Sequence, residues 1–600
     1  MRASYTIGGY PRLARTEDGA PQASESGQEQ TIASGYERFR RMRITALGQA
    51  GLFVETKHGS VLCDPWFNPA YFASWFPFPS NEAIDRSTLA NPTFLYVSHQ
   101  HHDHFDPQFL REHVSKDTTV LLPDYPLDLL ERELRKIGFT KFIHSKNYEP
   151  FEVNGLRFII AASVAPTDGP LGDSGIVIDD GETRIYDQND SRPVDLDALI
   201  GFGPYDAHFL QFSGAIWYPM VYLYPPKMME ALGRKKRENE MARAVRYAKE
   251  IGATFVVPSA GPPCFLDDPL FEFNDFDREP ANTFPDATAF LDYMRENGYD
   301  NGRLMIPGTL IDLTPGQCAT THPFPDDEVA AIFTDKRAYL EAYKARQQPT
   351  IDAIMASLPR GQVDILASLK EWFEPLIQAA DITSVGINGR VLLDCQTVAV
   401  VLDFQRREVY EWHGEEWEYR LSVAPELVES EIQRHVEDWI NELFLSCRFQ
   451  AERKGAYNEY VYNFFKCLSL ERLEYAEGYY SEKAHENQFF EAEGYRIQRR
   501  CPHLRADLTR FGKIEDGILT CALHGWQFEL ATGRCLTSDD RKLFAQPISE
   551  AAQAEVAAAQ AANGGGATLP ASADLRAFRD DSRLIRDRCG HCWYDPKRKI

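Results

Sequence analysis

Two groups of residues in this sequence have types and spacings suited to chemistry. The first lies in TFLYVSHQHHDHFDP, where His99, His101, Asp103 and His104 form an H-x-H-x-D-H pattern. Three imidazoles and a carboxylate on one short loop, spaced alternately, converge on a point as metal ligands must. A histidine-rich surface turn is the plain alternative, and His102 falls between the ligand positions. The second group is Cys501, His503, Cys521 and His524, a C-x-H pair and a C-x-x-H pair separated by seventeen residues. Two thiolates with two neutral imidazoles either bind zinc or hold an iron–sulfur cluster.

These residues need elements to position them. The apolar run TFLYV predicts a strand ending at the first motif, and Asp106 with Pro107 suits the N-cap and first turn of a helix just beyond it. Strand-like runs such as GSVLCDP, TTVLLPD, RFIIAAS, GIVIDD and TFVVPSA alternate with helical segments up to about residue 330. That alternation predicts a layered α/β domain over 42–330. Residues 331–485 have helical spacing in KRAYLEAYKARQQPTIDAIMASL and QVDILASLKEWFEPLIQAA and a hairpin pattern in RVLLDCQTVAVVLDFQRREVYEWH, which predicts a smaller α/β scaffold. Residues 486–545 form a small β-rich module. The polar stretch 1–41 is expected to be disordered, with Met42 a candidate start, and 546–600 to be a linker (551–573 is Ala/Gly-rich) and tail.

Composition limits the function classes. A 600-residue chain exceeds what one core supports, so several domains are expected. The net charge of −25 argues against a nucleic-acid partner. No apolar run approaches the roughly 18 residues of a membrane span, and the N-terminus lacks the apolar region of a signal peptide. Eleven cysteines without such a signal predict a reducing, cytoplasmic setting. Cys63, Cys264, Cys318, Cys395, Cys447 and Cys467 are expected to be small buried hydrophobes. Cys589, His591 and Cys592 near the end are too few to hold a metal alone.

The first motif resembles that of the metallo-β-lactamase fold family, with Asp64 of VLCDPW and Asp190 of YDQNDSRP as supporting features. The resemblance implies an αββα sandwich in which Asp190 binds metal. Where the family offers a further histidine, this chain has APTDGPLGDSG. Asp168 is the expected substitute, with Asp173 close behind, and the family's last histidine is missing near VPSAGPPCF. His208 is a candidate extra ligand, better explained as a core residue. The second motif, with HGWQFELATG after it, resembles the Rieske signature and implies a C-terminal all-β domain with a [2Fe–2S] cluster. It lacks the second pair of cysteines found in respiratory Rieske proteins, which implies the lower-potential kind that feeds oxygenases. Trp526 is expected either over the cluster or in the core.

Zinc is redox-inert, so a linked electron carrier is useful only if the first site holds non-haem iron and activates O2. The segments VLCDPWFNPAYFASWFPFP, YVSHQHHDHFD, FSGAIWYP, VPSAGPPCF and YNEYVYNFFKCL, with the Rieske motif, resemble the mycobacterial-type UDP-N-acetylmuramic acid hydroxylase family, related to CMP-N-acetylneuraminic acid hydroxylases. The resemblance spans about residues 42–540 and implies a monooxygenase acting on a nucleotide sugar used for peptidoglycan. Arg192, Arg234 and Lys235 are candidate substrate contacts, although a solvated helix face is the better explanation of GRKKREN. No dinucleotide-binding motif is present, so electrons from NAD(P)H are expected through a separate reductase or ferredoxin. Hydroxylation of another small molecule, or a zinc hydrolase with a regulatory Rieske module, are the alternatives. Mono- or di-iron nuclearity and a homo-oligomer stay open.

Overall fold

The computed structural model describes residues 41–548 except 215, 456, 483–487, 504, 524 and 538–541, together with the backbone of 584–586 and 592–594. The expected disorder of residues 1–40, the linker over 551–573, His524, Cys589 and His591 therefore lie outside the described residues.

The first unit is built on two sheets. One has eight strands, and its central run is Met42–Gly48, Gly51–Thr56, Gly59–Cys63, Phe94–Tyr96 and Thr119–Pro123. The other has six and runs from Phe255–Ser259 through Ala207–Gln211, Arg184–Asn189, Asp173–Asp179 and Leu156–Ser163 to Phe151–Val153. Alternation along the strands explains how they pack. Phe94 and Tyr96 point into the core between the sheets with Ile176, Ile178, Phe209 and Val257. Leu95, between them, faces outward with Val120 and Leu122 under Phe109 and Leu110 of helix α1 (Pro107–His113). On the far side, Met241, Ala244 and Tyr247 of helix α2 (Pro226–Ile251) cover the six-stranded sheet. The result is the αββα sandwich that the resemblance implied.

Helix Asp326–Thr334 spans the boundary set from sequence at 330/331 and helix Lys336–Ala356 falls in the segment expected for the middle unit, yet both pack on the first. Val329, Ile332, Leu340 and Tyr343 share a core with Phe76, Phe78 and Cys264. The middle unit proper is a five-stranded sheet with Arg390–Asp394 at its centre, paired parallel to Tyr419–Val423 and antiparallel to Ala399–Asp403. Helix α3 (Glu459–Lys466) packs beside it and contributes Phe464 and Phe465 to its core. Among the described residues the C-terminal module contains two three-stranded antiparallel sheets and a short helix, Leu508–Phe511. It shares a core with α2 and is tied to the first unit by ion pairs of Arg500 with Asp195 (3.0 Å) and Arg510 with Asp197. Among the described residues no helix is long and apolar enough to cross a membrane. Cys63, Cys264, Cys395, Cys447 and Cys467 are buried and Cys318 is half-buried, all as free thiols.

Candidate metal centre and its cavity

Strand Phe94–Tyr96 delivers the H-x-H-x-D-H loop to the rim of the sandwich. Asp106 then ends the loop as the N-cap of α1, accepting from Phe109 N at 2.9 Å. With Oδ2 it also accepts from the backbone N–H groups of Phe67 and Asn68. The cap expected from the sequence thus also anchors a second loop.

Within this frame His99, His104 and Asp190 each offer a donor atom, all within 4.8 Å of one another. Asp190 arrives from the end of strand Arg184–Asn189, on the opposite sheet. His99 Nε2 lies 3.9 Å and His104 Nε2 3.6 Å from the Asp190 carboxylate. His104 Nε2 and Asp190 Oδ1 are buried without a hydrogen-bond partner, as expected of donors that face a cation. Two imidazoles and a carboxylate with open positions form the set suited to non-haem Fe(II).

The other predicted residues surround this set. His101 Nδ1 is 2.7 Å from His99 Nε2. Both oxygens of Asp103 are engaged by protein donors, Tyr71 OH at 2.7 Å and Gln49 Nε2 at 3.0 Å. Asp173, rather than Asp168, meets His99, at 3.2 Å from Nδ1. Asp168 accepts from Ala165 N at 2.9 Å and lines the cavity described below. His208 is 2.9 Å from Gln188 Oε1, stacks on Tyr186 and lies in the core. Burial pushes its pKa down to about 3.

Asp64, only a supporting feature in the sequence, lies far from the loop along the chain but meets it in the fold. Its carboxylate accepts from Ser98 N, Ser98 Oγ and His104 Nδ1 at 2.7, 2.6 and 2.8 Å. Asp64, Gln49, Tyr71 and Asn189 all have left-handed backbone, with φ of 41°, 53°, 54° and 46°. Such strain in non-glycine residues gathers at functional sites.

Electrostatics favour a cation here. Burial opposes a charge on His104, yet the carboxylates of Asp190, Asp103 and Asp64 raise its pKa well above the usual value. Asp190 resists burial because His104, His99 and Arg192 lower its pKa. Burial, with His99 and His104 nearby, pushes the pKa of His101 well below its usual value.

Beside this group lies a cavity of about 250 Å³. All three units line it. The first supplies His101, Asp173 and Asp190, and the middle unit Tyr419, Phe444 and Tyr462. The C-terminal module supplies His503, Ala522, Leu523 and Gly525. Arg192, Lys236 and Arg243 also line the cavity, and all three surround Glu240. Three cations around one carboxylate leave this wall positive. Of the candidate substrate contacts, Arg192 lines the cavity. Arg234 instead faces solvent beside Glu230, and neither it nor Lys235 lines the cavity.

Cys501 and His503 lie on one loop of the C-terminal module, and Cys521 ends strand Ile518–Cys521. All three are buried. His524 lies outside the described residues. Trp526 stacks on the His503 ring, 4.1 Å between centroids and 11° between planes.

Residues 486–546 match the Rieske [2Fe-2S] domain family, and residues 365–482 match the Rv3818-like, SCP2-like domain family. In fold, the chain is similar to Igni18, a metallo hydrolase from the archaeon Ignicoccus hospitalis KIN4/I, at 16% identity and a TM-score of 0.32 over 46% of this chain and 98% of that one. It is also similar to CmlA, a diiron beta-hydroxylase from Streptomyces venezuelae, at 17% identity and a TM-score of 0.31 over 46% of this chain and 54% of that one. Over its sequence it is 48% identical, across 511 residues, to the Rieske 2Fe-2S iron-sulfur protein Rv3818 of Mycobacterium tuberculosis (strain ATCC 25618 / H37Rv), a match covering 84% of this chain and 99% of the relative. The chain therefore belongs to the Rv3818-like family of Rieske 2Fe-2S iron-sulfur proteins.

Proposed function

We propose that this protein is a Rieske-coupled iron monooxygenase that hydroxylates the N-acetyl group of UDP-N-acetylmuramic acid to N-glycolyl. One observation carries the coupling: a single cavity is lined both by His101 and Asp190 of the histidine-rich centre and by His503 of the Rieske loop. A redox-inert hydrolase has no use for that proximity.

His99, His104 and Asp190 would hold iron, with His101 and Asp173 beside them. Cys501, His503, Cys521 and His524 would hold the cluster. When bound, the two groups supply O2 activation and single electrons. The overall change is a methyl group plus O2, two electrons and two protons giving a hydroxymethyl group and water. The electrons come from NAD(P)H through a separate reductase or ferredoxin.

The chain's own residues bind and orient the substrate. The cavity is smaller than the ~300–1,000 Å³ typical of sites for drug-sized ligands, so it takes the reacting end of the substrate. Arg192, Lys236 and Arg243 attract anionic groups such as a diphosphate or a carboxylate. Trp217 and Phe444 pack edge to face, 5.5 Å apart, and give the cavity an apolar wall that keeps water from the acetyl group.

Incubating the reduced protein with UDP-N-acetylmuramic acid and O2 tests the reading. A gain of one oxygen atom in the sugar, by mass, is expected. Unchanged nucleotide sugar from protein with full iron content would refute the substrate assignment.

A further inference from the structure

Glu459 is almost fully buried, at 3% exposure, and its Oε2 lies 3.5 Å from His503 Nε2. It is the first residue of α3, and that end of the helix is firmly held. Asn458 Oδ1 caps Tyr460 N at 3.0 Å, Asn458 Nδ2 donates to Gly386 O at 2.8 Å, and Asn458 N donates to Tyr419 OH at 2.8 Å. A carboxylate in the first turn also benefits from the helix dipole. This acid therefore stands in a fixed place and comes from a different unit than the cluster loops.

With Trp526 stacked against the His503 ring, the edge carrying Nε2 is turned to Glu459, which leaves Nδ1 for iron. A neutral imidazole that ligates through one nitrogen keeps an N–H on the other. In a buried site that N–H requires an acceptor.

We infer that Glu459 is a positioning residue of the Rieske cluster: its carboxylate receives the outward N–H of His503, fixes the ring for iron and sets how strongly the imidazole donates electrons. Carboxylate partners of ligating histidines fix the tautomer and raise ligand basicity. Reduction adds a negative charge to the cluster, so a carboxylate at this position disfavours the reduced form. The inference rests on the Rieske cluster alone and is independent of the substrate.

The test uses the full-length protein with Glu459 changed to Gln, which keeps the shape and removes the charge. Iron content, visible absorbance and midpoint potential are measured without substrate. The expected result is a full cluster whose reduced-to-oxidised ratio at a fixed ambient potential rises about tenfold, equivalent to 59 mV for a one-electron couple. A full cluster at the wild-type potential would overturn the inference. If Glu459→Gln is isolated without its cluster, Glu459→Asp decides. Recovery of the cluster with Asp supports a charged acceptor, whereas loss in both variants assigns Glu459 to packing and overturns the inference.

Discussion

Asp64 and His104 are forty residues apart and meet inside the sandwich, where Asp64 Oδ2 accepts from His104 Nδ1 at 2.8 Å. Both side chains are fully buried. The contact fixes the histidine tautomer and turns Nε2 toward Asp190. Asp64→Asn should weaken iron binding at this centre about 10–100-fold, the usual effect of removing such a partner. Iron titration of the apo-site followed by mass spectrometry or atomic absorption would show it. Unchanged affinity would mean that Asp64 serves the loop backbone only.

The composition of the centre makes a prediction about total iron. With Asp103 held by Tyr71 and Gln49, the described residues that converge are His99, His104 and Asp190. The purified protein should then hold roughly three irons per chain, two in the cluster and one here. His99→Ala should lower this to roughly two, leave the visible spectrum of the cluster unchanged and abolish hydroxylation. Cys521→Ser should do the reverse, bleaching the cluster while the remaining iron stays. A count of roughly four in the wild type would indicate a dinuclear centre.

Arg192 lines the cavity, next to the Asp190 loop, and pairs with Glu240 only at 3.7 Å. If it holds an anionic part of the substrate, Arg192→Gln removes one charge-assisted contact, worth about 1.5–3 kcal/mol. KM should rise at least about tenfold with kcat close to wild type. A fall in kcat at unchanged KM would place Arg192 in the reaction itself.

His208 should make the first unit acid-sensitive. Its folded-state pKa, pushed by burial to about 3, lies below the ordinary value near 6.5. The unfolded chain therefore binds a proton that the folded chain refuses. The stability from this group is present above about pH 6.5 and falls by up to about 1.4 kcal/mol per pH unit as the pH drops from there toward 3. Urea unfolding of wild type and His208→Gln at pH 7 and pH 5 tests this. The variant should lose less stability between the two, and equal losses would show that acid weakens the fold elsewhere.

The sequence by itself determined the groups whose members are close along the chain. The H-x-H-x-D-H loop, its strand, the Asp106 cap and the two Rieske ligand pairs each lie within a few residues, so their geometry follows from strand alternation and turn chemistry. Sandwich layering was legible in the alternation of strand-like and helical runs, whereas Phe94–Tyr96 is buried throughout and packing decided that Phe94 and Tyr96 face inward and Leu95 outward.

Tertiary packing alone decided the rest. Asp173 and Asp168 are both acidic residues of one loop region, and only the register of strand Asp173–Asp179 sets Asp173 against His99. On α2, Lys236, Glu240 and Arg243 share a face by their spacing of four and seven, while Arg234 lies on the opposite side. Sequence cannot say which charged face is buried, because a stripe of charges on an isolated helix is best solvated. Here the three units close over one such stripe, whose cations gather around Glu240 and stay in excess of it. The approach of Glu459 to His503 likewise joins residues of two different units, and local pattern does not encode it. Burial in a low-dielectric interior turns such distant pairs into strong interactions, and that burial exists only once the chain has folded.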